Sequence, residues 1–142
     1  MRTVLLSKKN DARGKAKKYK SVLFFLAARV RSFRFAGSGV ILFFRNEVHA
    51  SMHLIAAVTV IWLAFYLQIS KAEWILTIIA IVMVFAAEMF NTCIEKLCDF
   101  IHPERHPRIR IIKDLAAGAV LVVALGAAVT GFIIFIPKIF QL

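Results

Sequence analysis

Three apolar runs, each about as long as a bilayer is thick, limit what this chain can become. Residues 115–136 contain no charged side chain at all. At about 1.5 Å of helix rise per residue, a run of that length crosses the ~30 Å hydrocarbon core of a membrane. Residues 50–69 form a second such run, and residues 74–98 a third that turns semi-polar toward its end. A length of 142 residues leaves room for one domain. The expected architecture is an all-α membrane protein with three transmembrane helices.

The net charge of +11 has to coexist with 61% hydrophobic residues and a mean hydropathy of +0.77. Segregation resolves the conflict. Twelve of the 19 Lys and Arg residues lie between Arg2 and Arg45, and five between Lys96 and Lys113. Because these clusters flank apolar runs, anionic lipid headgroups are the expected partner and nucleic acid is not. Residues 1–28 read as a basic N-terminal extension, mobile over residues 1–20, and the apolar stretch 22–28 is too short to span. Residues 29–45 read as an interfacial amphipathic helix, with a break expected near Gly37 and Gly39, and residues 29–142 as the membrane domain. Residues 100–112 read as a loop. The basic clusters place the N-terminus and that loop in the cytoplasm, and the 68–73 turn and the C-terminus outside. Cys93 and Cys98 fit no metal or redox pattern and read as small buried hydrophobes.

The second run carries what an ordinary span does not. Glu88, Asn91, Glu95 and Asp99 fall within about 80° of arc on one helix face. A charge at the centre of a span costs about 2.5–3.5 kcal/mol on insertion scales, so such groups face protein or water and mark function. Counting from Trp74, Glu88 lies about 21 Å in and Glu95 about 31 Å in, close to the cytoplasmic edge. Glu47, just ahead of the first span, and Lys113 and Asp114, opening the third, belong to that edge too.

Carboxylates without a Cys or His cluster favour a hard cation such as Mg²⁺, which takes one or two of them plus waters and phosphates. Phosphoryl transfer needs such a metal, a cation on the phosphates and a base for the attacking group. Lys113 suits the second role. Glu88, the deepest carboxylate, suits a base for a hydroxyl in the membrane layer. The competing readings are a polar cluster that only holds helices together, and an ion path. Gly118, Gly126 and Gly131 in the third run point to close helix packing rather than conduction. No Walker loop, dinucleotide loop or HExxH is present. His102 and His106 read as capping or headgroup contacts, and His49 and His53 as interface histidines.

Glu88-Met-Phe-Asn91-Thr-Cys-Ile-Glu95-Lys-Leu-Cys-Asp99, followed by Lys113-Asp114-Leu-Ala-Ala-Gly-Ala-Val, resembles the E-x-x-N-[ST]-x-I-E-x-x-x-D…K-D-x-x-x-x-A-V pattern of the bacterial integral-membrane diacylglycerol kinase/undecaprenol kinase family. The resemblance covers about residues 31–138. It implies a homotrimer in the bacterial inner membrane, with active sites shared between neighbouring subunits, that uses Mg-ATP to phosphorylate a lipid alcohol. It also implies residue roles. Glu88 becomes the catalytic base, and Asn91 and Asp99 the residues that touch substrate or support the base. Glu47 and Glu95 become metal-binding and nucleotide-binding carboxylates, and Lys113 and Asp114 nucleotide contacts. Ser51 replaces the usual Arg or Lys, His49 a common Asn, and Ile112 a frequent small residue. The wording Pro103-Glu104-Arg105-His106-Pro107 is closer to the undecaprenol kinase branch. A catalytically silent scaffold or regulator of the same fold is the alternative, and it would be free to lose this residue set.

Overall fold

The computed structural model describes the backbone of residues 2–140 and the side chains of residues 24–140. It contains four α-helices: α1 (Arg2–Asn46), α2 (Val48–Tyr66), α3 (Lys71–Ile101) and α4 (Pro107–Ile139). The last three are each long and apolar enough to cross a membrane. The chain divides into two units, Met1–Leu42 and Phe43–Leu142.

The first unit consists of the greater part of α1. The backbone of the basic stretch is helical, as a run rich in Lys, Arg, Ala and Leu with no proline allows. One expectation fails here. No break occurs at Gly37 or Gly39, because neither glycine adopts a positive φ. Between them the Ser38 hydroxyl donates to the Arg34 carbonyl at 2.9 Å, one turn back. Phe24, Phe33, Phe35 and Ile41 are exposed along the helix.

In the second unit α2, α3 and α4 form antiparallel neighbours, with α3 packed extensively on α4 and less on α2. Two ion pairs set the α3–α4 register: Asp99–Lys113 at one end and Glu73–Lys138 at the other. About 38 Å of helix separates them on each strand of the hairpin, enough to clear the hydrocarbon layer. On α2 the buried residues Ala50, Ala57 and Ala64 recur every seven positions. Small side chains at that period let a helix pack closely along one seam. The glycines of α4 do not serve this purpose within the chain. A Cβ at Gly118 or Gly126 would meet nothing within 4 Å, and one at Gly131 only the Phe135 ring at 3.9 Å.

The α2–α3 connection is tightly specified. Gln68 takes a left-handed φ of 48°. The Ile69 N–H then reaches the Ala64 carbonyl (3.2 Å) and the Gln68 N–H that of Phe65 (3.3 Å), a Schellman motif. Ile69 and Ala64 are both buried there, with Ile134 and Phe135 of α4. Ser70 opens α3 through a capping box with Glu73: the Glu73 N–H donates to Ser70 Oγ (3.3 Å) and the Ser70 N–H to Glu73 Oε2 (2.6 Å). Trp62 stacks on Tyr66, and Phe65 meets Trp74 edge to face, so aromatic rings girdle this end.

The expected 100–112 loop is much shorter, because α3 runs on to Ile101 and α4 already starts at Pro107. Proline suits the first helical position, where its missing N–H has no partner to lose. His106 caps that turn, its Nδ1 accepting from the Arg108 N–H at 3.2 Å. At its far end α4 continues through Pro137 to Ile139, although a proline there gives up the N–H bond to the Ile133 carbonyl. Cys98 is buried as expected, whereas Cys93 is exposed.

Candidate functional site

At the α3–α4 loop end, five polar or charged contacts stack on one another. The outermost lie around the loop. Lys113 Nζ of α4 donates to Asp99 Oδ1 of α3 at 2.6 Å. Asp114 meets Arg110 one turn away on α4 at 3.6 Å, where both side chains are well exposed. Glu47 sits in extended conformation (φ −109°, ψ 119°) between α1 and α2. Its side chain makes no capping bond there and instead holds Lys96 Nζ of α3 at 2.8 Å. The Lys96 ammonium is attracted by Glu95 and Asp99 as well as by Glu47. Lys113 likewise feels Glu95 beside Asp99. Glu47, Glu95, Asp99, Lys96 and Lys113 thus form one charged layer.

One turn in, Asn91 Nδ2 donates to Glu95 Oε1 at 3.1 Å. The other end of that amide, Asn91 Oδ1, is buried and has no partner. An orphaned buried acceptor costs free energy unless something donates to it or binds it. Deeper still, His53 Nε2 of α2 lies 2.8 Å from Glu88 Oε1 of α3. Glu88 is 7% exposed, the most buried charged residue among those described. Antiparallel register accounts for the layering. From Glu47 to His53 α2 advances about 9 Å, while from Lys96 back to Glu88 α3 descends about 12 Å, so both pairs lie on level ground.

Below this pair opens an apolar groove of about 550 Å³ between α2, α3 and α4. His53 stands at its polar end, and Ala57, Val84, Ala128 and Phe135 line its length. The spans as a whole are scarcely covered: only 11–17% of their apolar windows are buried. Leu54, Ile78, Leu121 and Val122 are among the many large side chains left for lipid or another subunit.

The structure therefore brings Glu47, Glu95, Asp99 and Lys113 into one layer with Asn91 and Glu88 below it. Asp114 is turned out toward Arg110 and solvent. Among the described residues no three His, Cys, Asp or Glu side chains gather tightly enough to hold a metal by themselves. A hard cation needs fewer, provided the donors are oxygens. Glu47 and Glu95 each keep one carboxylate oxygen free of these contacts, and Asn91 Oδ1 beside Glu95 is unpartnered. That all-oxygen donor set fits Mg²⁺.

Two site residues escaped the reading of the sequence. Lys96 directly follows Glu95, and its sign marked it as a counter-ion for the cluster. His53, expected as an interface histidine, bonds to Glu88, while His49 stays exposed. The signal for His53 lay in the hairpin. Residues 53 and 88 stand on opposite sides of the 67–70 turn at distances that differ by about one helical turn, so antiparallel helices bring them within side-chain reach.

Comparison with known proteins identifies the family. The profile of the prokaryotic diacylglycerol kinase family matches residues 34–135. The undecaprenol kinase of Bacillus subtilis is 37% identical over 109 residues, covering 77% of this chain and 89% of the relative. A diacylglycerol kinase of Synechocystis is 30% identical over 112 residues, 78% of this chain and 64% of the relative. A diacylglycerol kinase of Haemophilus influenzae is 30% identical over 93 residues, 66% of this chain and 79% of the relative. The chain is a multi-pass membrane protein belonging to the prokaryotic diacylglycerol kinase family, a family of lipid kinases.

Proposed function

We propose that this protein transfers the γ-phosphate of ATP to a membrane lipid alcohol, at the cytoplasmic face of a bacterial inner membrane. The observation that carries the reading is the depth of Glu88, a buried carboxylate about 10 Å below the charged layer and bonded to His53, which stands at the polar end of an apolar groove. A soluble substrate would not need a base at that level. A lipid whose tail lies in the bilayer presents its hydroxyl there.

Glu88 accepts the hydroxyl proton as the lipid oxygen forms its bond to the γ-phosphorus. The bond from that phosphorus to the bridging oxygen breaks, and ADP leaves with the electron pair. Lys113 neutralises phosphate charge, and Asp114 contacts the nucleotide. Glu47 and Glu95 hold Mg²⁺, which when bound screens the charge on the phosphates. Asn91 Oδ1 is free to bind the metal's water or the substrate, and Asp99 keeps Lys113 in place through their 2.6 Å contact.

Undecaprenol is the favoured substrate over diacylglycerol, because the undecaprenol kinase relative is 37% identical and the two diacylglycerol kinases compared are 30% identical. The assembly is a homotrimer with active sites shared between neighbours, a reading supported by the spans' meagre burial within one chain. The basic α1 lies along the inner face with the N-terminus in the cytoplasm.

The test is phosphate transfer from Mg-ATP by the purified full chain in mixed micelles containing undecaprenol or diacylglycerol. Transfer to one of them, lost in Glu88→Gln, is expected. A folded protein that phosphorylates neither lipid would refute the kinase reading.

A further inference from the structure

We propose that His53 is a positioning residue that orients Glu88 for proton abstraction, an inference resting on Glu88 being the base. Glu88 is nearly enclosed, and among the described residues His53 is its only polar partner. An ionised carboxylate accepts hydrogen bonds and donates none, so at 2.8 Å the His53 Nε2 carries the hydrogen and gives it to Oε1. That contact has two consequences.

The carboxylate, on a side chain with three rotatable bonds, is held in one orientation instead of several. Its second oxygen, Oε2, has no hydrogen-bond partner among the described residues and keeps its lone pairs for the substrate hydroxyl. The imidazole comes from α2 and the carboxylate from α3, so helix packing sets the pairing rather than local chain geometry. His53 is itself 29% exposed and lines the groove beside Ala56 and Ala57, which places the pair where a lipid chain would present its head. His53 need not touch the substrate. Its effect passes through Glu88.

The experiment uses the full chain in mixed micelles with Mg-ATP and undecaprenol, comparing His53→Leu, His53→Gln and His53→Asn. A glutamine amide nitrogen reaches the place of Nε2, whereas an asparagine amide falls short. His53→Leu and His53→Asn are expected to lower kcat by about 10-fold or more, a part of the 10²–10⁴ that general base catalysis supplies. The KM for Mg-ATP should stay within about twofold, because His53 lies below the nucleotide layer by roughly 9 Å. His53→Gln should recover much of the lost kcat. In ¹⁵N-histidine spectra of the full chain, the His53 ring signals should move in Glu88→Gln.

A kcat for His53→Leu near that of the unaltered protein overturns the proposal. So does a loss confined to KM, a glutamine variant no better than leucine, or a His53 signal indifferent to Glu88→Gln. If His53→Leu does not fold, the contrast between Gln and Asn decides in the same way. Turnover surviving in Glu88→Gln overturns the base assignment and this proposal with it. Turnover lost in Glu88→Gln but kept in His53→Leu overturns the positioning role alone.

Discussion

Both ends of the α3–α4 hairpin are closed by a lysine on a carboxylate, yet only one end has the makings of a site. At the turn end, Lys138 meets Glu73 at 3.4 Å, and Glu73 is also engaged in the capping box of α3. Its surroundings are aromatic rings and a small apolar core. Ser70, Glu73 and Lys138 are each engaged there in capping or pairing at the helix ends. At the loop end, Lys113 on Asp99 is the outermost member of a polar column that runs inward through Glu95 and Asn91 to Glu88. The difference lies in depth. A carboxylate at a helix terminus satisfies the orphaned amides and needs no other purpose. One that is several turns inside an apolar span stabilises nothing by being there, so its presence signals function.

The sharpest way to break this contrast is Glu88→Gln, which preserves shape and removes the base. Turnover is expected to fall by about 10²-fold or more, with the fold retained by circular dichroism. Next in size is Glu95→Gln at the metal layer. The Mg²⁺ concentration for half-maximal activity should rise by about 10-fold or more, read from a magnesium titration at fixed ATP. Chelating the metal with EDTA should abolish activity in the unaltered protein and leave its helicity unchanged.

Substitutions at the turn end should affect stability and spare the chemistry. Ser70→Ala removes the cap of α3 and should cost about 1 kcal/mol in reversible SDS unfolding, with kcat unchanged. Lys138→Met removes the ion pair to Glu73 and should cost less than Ser70→Ala in the same unfolding measurement. A large loss of turnover in either variant would show that the two ends are not functionally separate.

Much of this architecture was legible beforehand, for identifiable reasons. Burial in lipid demands long apolar runs, so three membrane-length helices could be counted from residues 50–136. A period of 3.6 residues puts Glu88, Asn91, Glu95 and Asp99 on one face of α3. The cap of α3 is present in the sequence as Ser70-x-x-Glu73, the spacing of a capping box. Helices α3 and α4 extend beyond the apolar runs 74–98 and 115–136, since a helix does not stop where the membrane does, whereas α2 ends at Tyr66, short of residue 69. The glycines of α4 suggested tight packing, but in this chain the close seam is the alanine series of α2.

The polar column on α3 was thus determined by sequence alone, because residues on one helix are related by a fixed rotation and rise. What each member touches was decided by tertiary structure. Glu47 reaches Lys96, Lys113 reaches Asp99 and, most consequentially, His53 reaches Glu88. These contacts join different helices, and their register depends on where each hairpin turns. The Schellman motif at Gln68 and the short loop from His102 to His106 set that register. A shift of one turn at either would leave the stripe on α3 in place and move its partners by about 5.4 Å.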